Sequence, residues 1–198
     1  MNDRLDNFHK YLTQKAGVKE EDYNAFLPYF SVKNYQKGDI ILSKGSICNH
    51  IFFVEKGLLR LFSIDQNGTE HIIQFAPENW LLSERESLYF GTPSDFHIDV
   101  LEESIVVMLM QDFIPKASSI SPEFRNHNEF ILQNHIRQLQ QRVNLLISAS
   151  AEARYLHFIK MYPDLTLRIP QWMIASYLGI TPESLSRVRK GLAEKNFK

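Results

Sequence analysis

One stretch near the C-terminus constrains this chain more than any other: Ile169-Pro-Gln-Trp-Met-Ile-Ala-Ser-Tyr-Leu-Gly-Ile-Thr-Pro-Glu-Ser-Leu-Ser-Arg-Val-Arg-Lys190. It reads as helix, tight turn, helix. Pro170 suits a first helical turn, where a missing N–H is no loss. Ile174 and Leu178 recur at helical spacing. Gly179 then offers a stop, because it takes positive φ without steric cost. Ile180 is expected to plug the turn. Thr181 is a good N-cap with Pro182 at the first helical position. The second helix buries Leu185, Val188 and Leu192. Its other face presents Thr181, Glu183, Ser186, Arg187, Arg189 and Lys190. An apolar back, a basic front and a Gly-containing turn together give the pattern of a helix-turn-helix that reads DNA. A plain helical hairpin fits the spacing equally well; the distribution of charge separates the two. From Arg168 to Lys198 six basic residues face two acidic ones, a net of +4, whereas the whole chain is −1 and residues before 168 carry −5. Base gathered in one short module is what phosphate attraction requires.

The preceding residues set this module in context. Leu5, Phe8 and Leu12, then Tyr23, Phe26 and Leu27, fall at helical spacing, with a break at Gly17 and a stop at Pro28. From about 31 to 110 the period shortens into apolar runs punctuated by Gly and Asn: 39–42, 51–54, 58–62, 71–75, 96–101 and 105–109. Lys56-Gly57 and Gln66-Asn67-Gly68 are turn signals, the second expected to form a tight primed hairpin turn. Such short strands predict an antiparallel barrel or jelly roll. After Pro115 and Pro122 the helical period returns, and from Phe124 to about Tyr162 one long helix is expected. Within it Leu132, Ile136, Leu139, Val143 and Leu146 follow a 4-3-4-3 rhythm among Gln and Arg. That narrow seam predicts a homodimer through a two-helix coiled coil, the alternative being a helix packed on its own β domain. Pro163 ends the helix, and Leu165–Ile169 is expected to be a short strand.

Composition excludes several classes. At 44% hydrophobic and 23% charged the chain is an ordinary water-soluble one. It lacks an apolar run long enough for a membrane span, and its N-terminus lacks a signal-peptide core, so a cytoplasmic protein without a membrane partner is expected. A single cysteine, Cys48, excludes an internal disulfide or an iron–sulfur cluster built from this chain alone. Of the runs read here as strands, only those at 71–75 and 96–101 offer histidines, His71 and His97, to a haem or a cupin-type metal centre. They do not form a His-x-His pair, so neither a metal site nor an enzyme is expected.

The order of β-roll, long helix and helix-turn-helix resembles the Crp/Fnr superfamily of bacterial transcription regulators over nearly the whole chain. Lys37-Gly38-Asp39-Ile-Ile41, Ser43-Lys-Gly45 and Ile51-Phe-Phe-Val-Glu-Lys-Gly57 look like the family's strand-and-turn block, and Ile174–Arg187 is similar to its DNA-reading motif. The resemblance implies an α+β fold. N-terminal helices and an antiparallel, jelly-roll-like β-roll would form a sensing domain (1–122), followed by a dimerisation helix (123–162) and a helix-turn-helix domain (163–198). It also implies double-stranded DNA as a partner, with RNA polymerase a further candidate.

Two departures from the family stand out. Members that bind cyclic nucleotides carry a Gly-Glu pair and an Arg followed by a small residue. Here the first place falls near Leu82-Ser83, with Glu84 and Arg85 adjacent, and the second at Ser94-Asp95. An acid where a phosphate needs a cationic fork disfavours cyclic AMP. The tentative effector pocket is Trp80, Ser83, Glu84, Arg85, Ser94, Asp95 and Phe96. Its rim is aromatic, suiting an unidentified small-molecule effector or a filled core that takes none, so no cofactor is expected. The second departure is that the usual two-stranded wing after the reading helix finds no residues before Lys198, leaving a short form and a truncation both open. A β-roll module that has lost specific DNA binding is the alternative function.

Overall fold

The computed structural model describes residues 5–196. Among them two compact units emerge, residues 5–64 with 73–133 and residues 65–72 with 134–196.

The first unit is an antiparallel roll with helices at its N-terminal side, the α+β arrangement expected. Helix α1 (Asp6–Lys10) runs into a π-helical turn (Tyr11–Lys15), and α2 (Glu20–Phe26) into a 3-10 turn (Leu27–Tyr29), with Gly17 at the break between them. The strands are β1 (Phe30–Tyr35), β2 (Ile40–Leu42), β3 (His50–Lys56), β4 (Leu59–Ile64), β5 (Glu70–Ala76), β6 (Leu81–Leu82), β7 (His97–Val100) and β8 (Ser104–Met110). They form two sheets ordered β1-β8-β3-β6 and β2-β7-β4-β5. Alternation then decides the core. In β4 and β7 the cross-strand pairs Leu59–Val100 and Leu61–Ile98 join Phe53, Val54, Val106 and Val107 of the other sheet in one apolar cluster. The opposite face of the same strands carries the pairs Arg60–Asp99 and Phe62–His97. Arg60 Nε and Nη2 donate to the two Asp99 oxygens at 2.8 Å, and the guanidinium lies 4.0 Å from the Phe62 ring centre. The fork is thus satisfied although Arg60 is buried. Phe8 docks α1 against Phe30, Phe53 and Phe113. The Glu55 carboxylate accepts from the Asn7 and Phe8 N–H groups at 2.8 Å, supplying the first turn of α1 with acceptors it lacks. Burial nevertheless lifts the Glu55 carboxyl above its ordinary value. Helix α3 (Arg85–Phe90), the short strand β6 and the paired strand β1 carry no strong sequence signal.

Helix α5 (Pro122–Ser148) follows α4 (Phe113–Ile120), and Pro115 lies in the first turn of α4, where its missing N–H breaks no helical bond. Two expectations fail here. The single helix from Phe124 to Tyr162 is interrupted: α5 stops at Ser148 and α6 (Ala151–Met161) restarts. The break needs no Gly or Pro because Ser150 is extended (φ −65°, ψ 158°) and its hydroxyl accepts from Ala153 N–H at 3.2 Å. Leu165–Arg168 is a helical turn, α7, rather than a strand. Leu165 and Ile169, four apart, are both buried, and Ile169 N–H reaches Leu165 C=O at 3.1 Å.

The second unit is completed by α8 (Gln171–Leu178) and α9 (Pro182–Asn196). Phe158, Tyr162 and Tyr177 form its aromatic centre, with ring centres 5.3–5.8 Å apart, and Leu165, Ile174, Leu178 and Leu185 are buried in the same unit. The β4–β5 hairpin tip also belongs to this unit. Its turn is not the two-residue primed type expected. Asn67 keeps negative φ and Gly68 alone is positive at +80°. Gly68 N–H donates to Asp65 C=O and Asp65 N–H to Thr69 C=O. That is a type I turn closed by a left-handed glycine, held by the Asp65 carboxylate accepting from Asn67 and Thr69 N–H.

The two turn glycines differ in one testable respect. At Gly57 (φ +98°) a Cβ would collide with the Ser104 hydroxyl and approach Glu103 C=O to 2.8 Å; at Gly68 it would meet nothing within 4 Å. Gly57→Ala should destabilise the chain by about 3 kcal/mol or more, combining left-handed strain with backbone displacement. Gly68→Ala should lose only about 1–2 kcal/mol of conformational strain. Denaturant unfolding of the two variants measures the difference, and equal losses would contradict it.

Candidate functional site

Three sets of residues were expected to carry function. The reading helix comes first. Helix α8 ends on Gly179 at φ +65°, and both bonds of a Schellman closure are present: Ile180 N–H to Ala175 C=O at 3.0 Å and Gly179 N–H to Ser176 C=O at 3.1 Å. Ile180 is half-buried at the turn. Thr181 caps the next helix, its hydroxyl accepting from Ser184 N–H at 3.2 Å. Leu185 is fully buried and Val188 and Leu192 are half-buried on the inner side of α9. Thr181, Glu183, Ser186, Arg187, Arg189 and Lys190 are all exposed. Arg187 Nη2 donates to Ser184 Oγ at 3.1 Å, which orients the guanidinium along the helix. The Glu183 carboxyl is held below its ordinary value, first by its own backbone N–H, then by the Thr181 hydroxyl and the Arg187 charge. An acceptor and a forked donor therefore share one uncovered face. Lys195 is committed elsewhere, its ammonium 2.8 and 3.0 Å from the Glu152 carboxylate on α6.

The tentative pocket residues lie around α3. Glu84 is buried, and its carboxylate accepts from Glu86 N–H at 3.1 Å and Ser87 N–H at 2.9 Å. It caps α3 from within, so the donors that begin this helix already hold an anion belonging to the chain. Arg85 points outward and sits 5.0 Å from the Tyr89 ring centre. Ser94 is buried, but its hydroxyl is occupied by Phe96, accepting from the N–H and donating to the C=O at 3.0 Å. Asp95 was expected to repel a phosphate from inside the pocket; instead its side chain is 82% exposed, 3.8 Å from Lys44 Nζ. Trp80, Ser83 and Phe96 are half-buried, with Trp80 and Phe96 packed on the roll core, whereas the rim aromatics Tyr89 and Phe90 are exposed. The structure thus brings Glu84, Ser87 and Cys48 together, through the bond from Cys48 N–H to Ser87 Oγ at 2.8 Å, and leaves Arg85 and Asp95 outside.

On α5, Leu132, Ile136, Leu139, Val143 and Leu146 are 36–54% exposed. Such a row of large apolar side chains left open to water is a surface suited to another helix.

Comparison with known proteins identifies the architecture. Residues 32–117 match the family model described as cyclic nucleotide-binding domain. The anaerobic regulatory protein of Pasteurella multocida is 25% identical over 167 residues, 79% of this chain and 60% of that protein. The cyclic AMP receptor protein of Thermus thermophilus is 22% identical over 90% of this chain and 84% of that one. The solved structure of FixK2 from Bradyrhizobium japonicum superposes with a TM-score of 0.70 at 18% identity, covering 84% of this chain and 86% of that one. The chain shares its fold with these proteins, and residues 32–117 carry its likeness to the cyclic nucleotide-binding domain. It spans about three fifths of the length of its Pasteurella relative.

The sequence placed α8, the Gly179 turn and α9 but did not disclose Glu84's part. The available signal was an acid placed to cap Arg85-Glu86-Ser87, obscured because Glu is not among the usual N-cap residues. Replacing Glu84 with Ala should orphan two N–H groups and lower stability by about 1–2 kcal/mol. An unchanged denaturation midpoint would show that water replaces the carboxylate without loss.

Proposed function

We propose that the chain is a DNA-binding transcription regulator of the cytoplasm, acting as a homodimer on a palindromic duplex site. The observation that carries this reading is the α9 face, on which Glu183, Ser186, Arg187 and Lys190 stand exposed behind the closed Gly179 turn. A helix presented in this way fits the major groove. Glu183 can accept from a cytosine amino group and Arg187 can fork onto a guanine. Arg189 and Lys190 meet phosphates, which position the helix without reading sequence. The Pasteurella relative's name as a regulatory protein supports the reading, as does the absence, among the described residues, of any helix long and apolar enough to cross a membrane. RNA polymerase is a further partner of such a regulator. The test is direct: on the preferred site, Arg187→Ala should lose about 1–3 kcal/mol and relax preference at one base position, while Lys190→Ala should weaken all sequences alike and flatten the salt slope by about one. Unchanged affinity and preference in Arg187→Ala would remove this face from the reading.

The dimer is formed through the open α5 seam, where burying each large apolar side chain fully is worth roughly 1.5–3 kcal/mol. A two-fold axis there matches two half-sites roughly 34–36 Å apart. Leu139→Glu together with Val143→Glu should give monomers in sedimentation; a surviving dimer would refute the seam.

The roll senses an effector other than cyclic AMP. Glu84 already satisfies the α3 donors, and Arg85, the guanidinium of that stretch, faces out. A buried phosphate without a cationic partner is unfavourable by several kcal/mol. Calorimetry with cyclic AMP should show no binding at micromolar concentration, and a clear titration would overturn this part of the reading.

A further inference from the structure

The C-terminal end of α8 is held in an unusual way. The last carbonyls of a helix lack helical partners and carry its negative end. In α8 two of them are taken by arginines from other helices of the same unit. Arg142 of α5 donates from Nη2 to Tyr177 C=O at 3.3 Å, with its guanidinium 3.8 Å from the Tyr177 ring centre. The same Nη2 reaches Ile72 C=O at 3.1 Å. Arg154 of α6 donates from Nη1 to Leu178 C=O at 2.7 Å and from Nε to Ala149 C=O, in the break between α5 and α6, at 3.3 Å. Just before them on α8, the Ser176 hydroxyl donates to Glu70 C=O and accepts from Ile72 N–H, both at 3.0 Å, as a neighbouring strand would pair with that edge of β5. The hairpin tip, the seam helix and the first helix of the reading pair are therefore joined by bonds from three side chains to backbone groups.

This arrangement has a consequence for where the reading helix stands. The Ala149–Ser150 break is a joint at which α6 and everything after it could swing relative to α5. Arg154 of α6 ties that joint, at Ala149, to the end of α8, and Arg142 bypasses it by running from α5 directly to α8. We propose that Arg142, Arg154 and Ser176 are positioning residues that fix the helix-turn-helix relative to the seam helix, and so set the half-site spacing the dimer accepts. The inference rests on the regulator reading above. It adds that selectivity for spacing resides in residues that touch no DNA, separately from selectivity for bases on α9.

The test uses the full chain and a set of duplexes carrying the selected half-sites with the centre lengthened or shortened by one and two base pairs, each base pair moving the half-sites about 3.4 Å. The unaltered chain should prefer one spacing sharply. Arg142→Ala combined with Arg154→Ala should reduce that preference roughly tenfold, the weight of a hydrogen bond to a charged group, while base preference within the half-site stays as it was. Should the double variant fail to fold by circular dichroism, Ser176→Ala should blunt the spacing preference and Ser176→Thr, which keeps the hydroxyl, should restore it. Affinity lost equally at every spacing, with the preference intact, would show that these residues only stabilise the fold and would overturn the inference while leaving the regulator reading standing. Absence of any sequence-selective binding by the unaltered chain would instead bring down the regulator reading and this inference with it.

Discussion

Backbone polar groups at helix ends have to find partners, and the second unit of this chain is organised around how it meets that demand at one place. The C-terminal carbonyls of α8 lie where the Gly179 turn begins. Gly179 closes the turn through its own N–H and that of Ile180, which satisfies two carbonyls further back. Arg142 and Arg154 take the next two. Because the donors come from α5 and α6, satisfying the helix end also ties the turn, and hence α9, to the helix that carries the apolar seam. Hydrogen bonds from charged groups are among the stronger ones a protein makes, so this end is stiff where a looser Gly-containing turn would be free to move.

The roll shows the same economy with a different outcome. There the donors at the start of α3 and α1 are met by carboxylates of the chain itself, Glu84 and Glu55. The buried Ser94 hydroxyl is likewise spent on Phe96. A fold described as a cyclic nucleotide-binding domain thus has its anion-seeking groups internally occupied.

What the sequence disclosed and what it hid follow from the physics of each element. Helices α8 and α9 and the turn between them were legible because their punctuation is local: Pro170, Gly179, Thr181 and Pro182 act within a turn of where they stand. The strands were legible by alternation, and the α5 seam by its spacing, since the row of apolar residues is open in the chain. The break at Ser148–Ser150 was hidden because a serine cap leaves no Gly or Pro behind. Leu165–Ile169 alternates in sequence like a strand, yet its buried positions are four apart. The pocket was least legible. Whether Asp95 points in or out and whether Glu84 caps α3 are rotamer and loop matters, set by neighbours distant in sequence such as Lys44 and Cys48.

The most direct measurement of the central claim is selection of duplex DNA from a random pool by the purified chain, followed by sequencing of what is retained. The account predicts enrichment of a two-fold symmetric site whose half-sites lie one helical turn apart, roughly 34–36 Å, with retention that weakens as salt rises. Retention without enrichment of any sequence would contradict it.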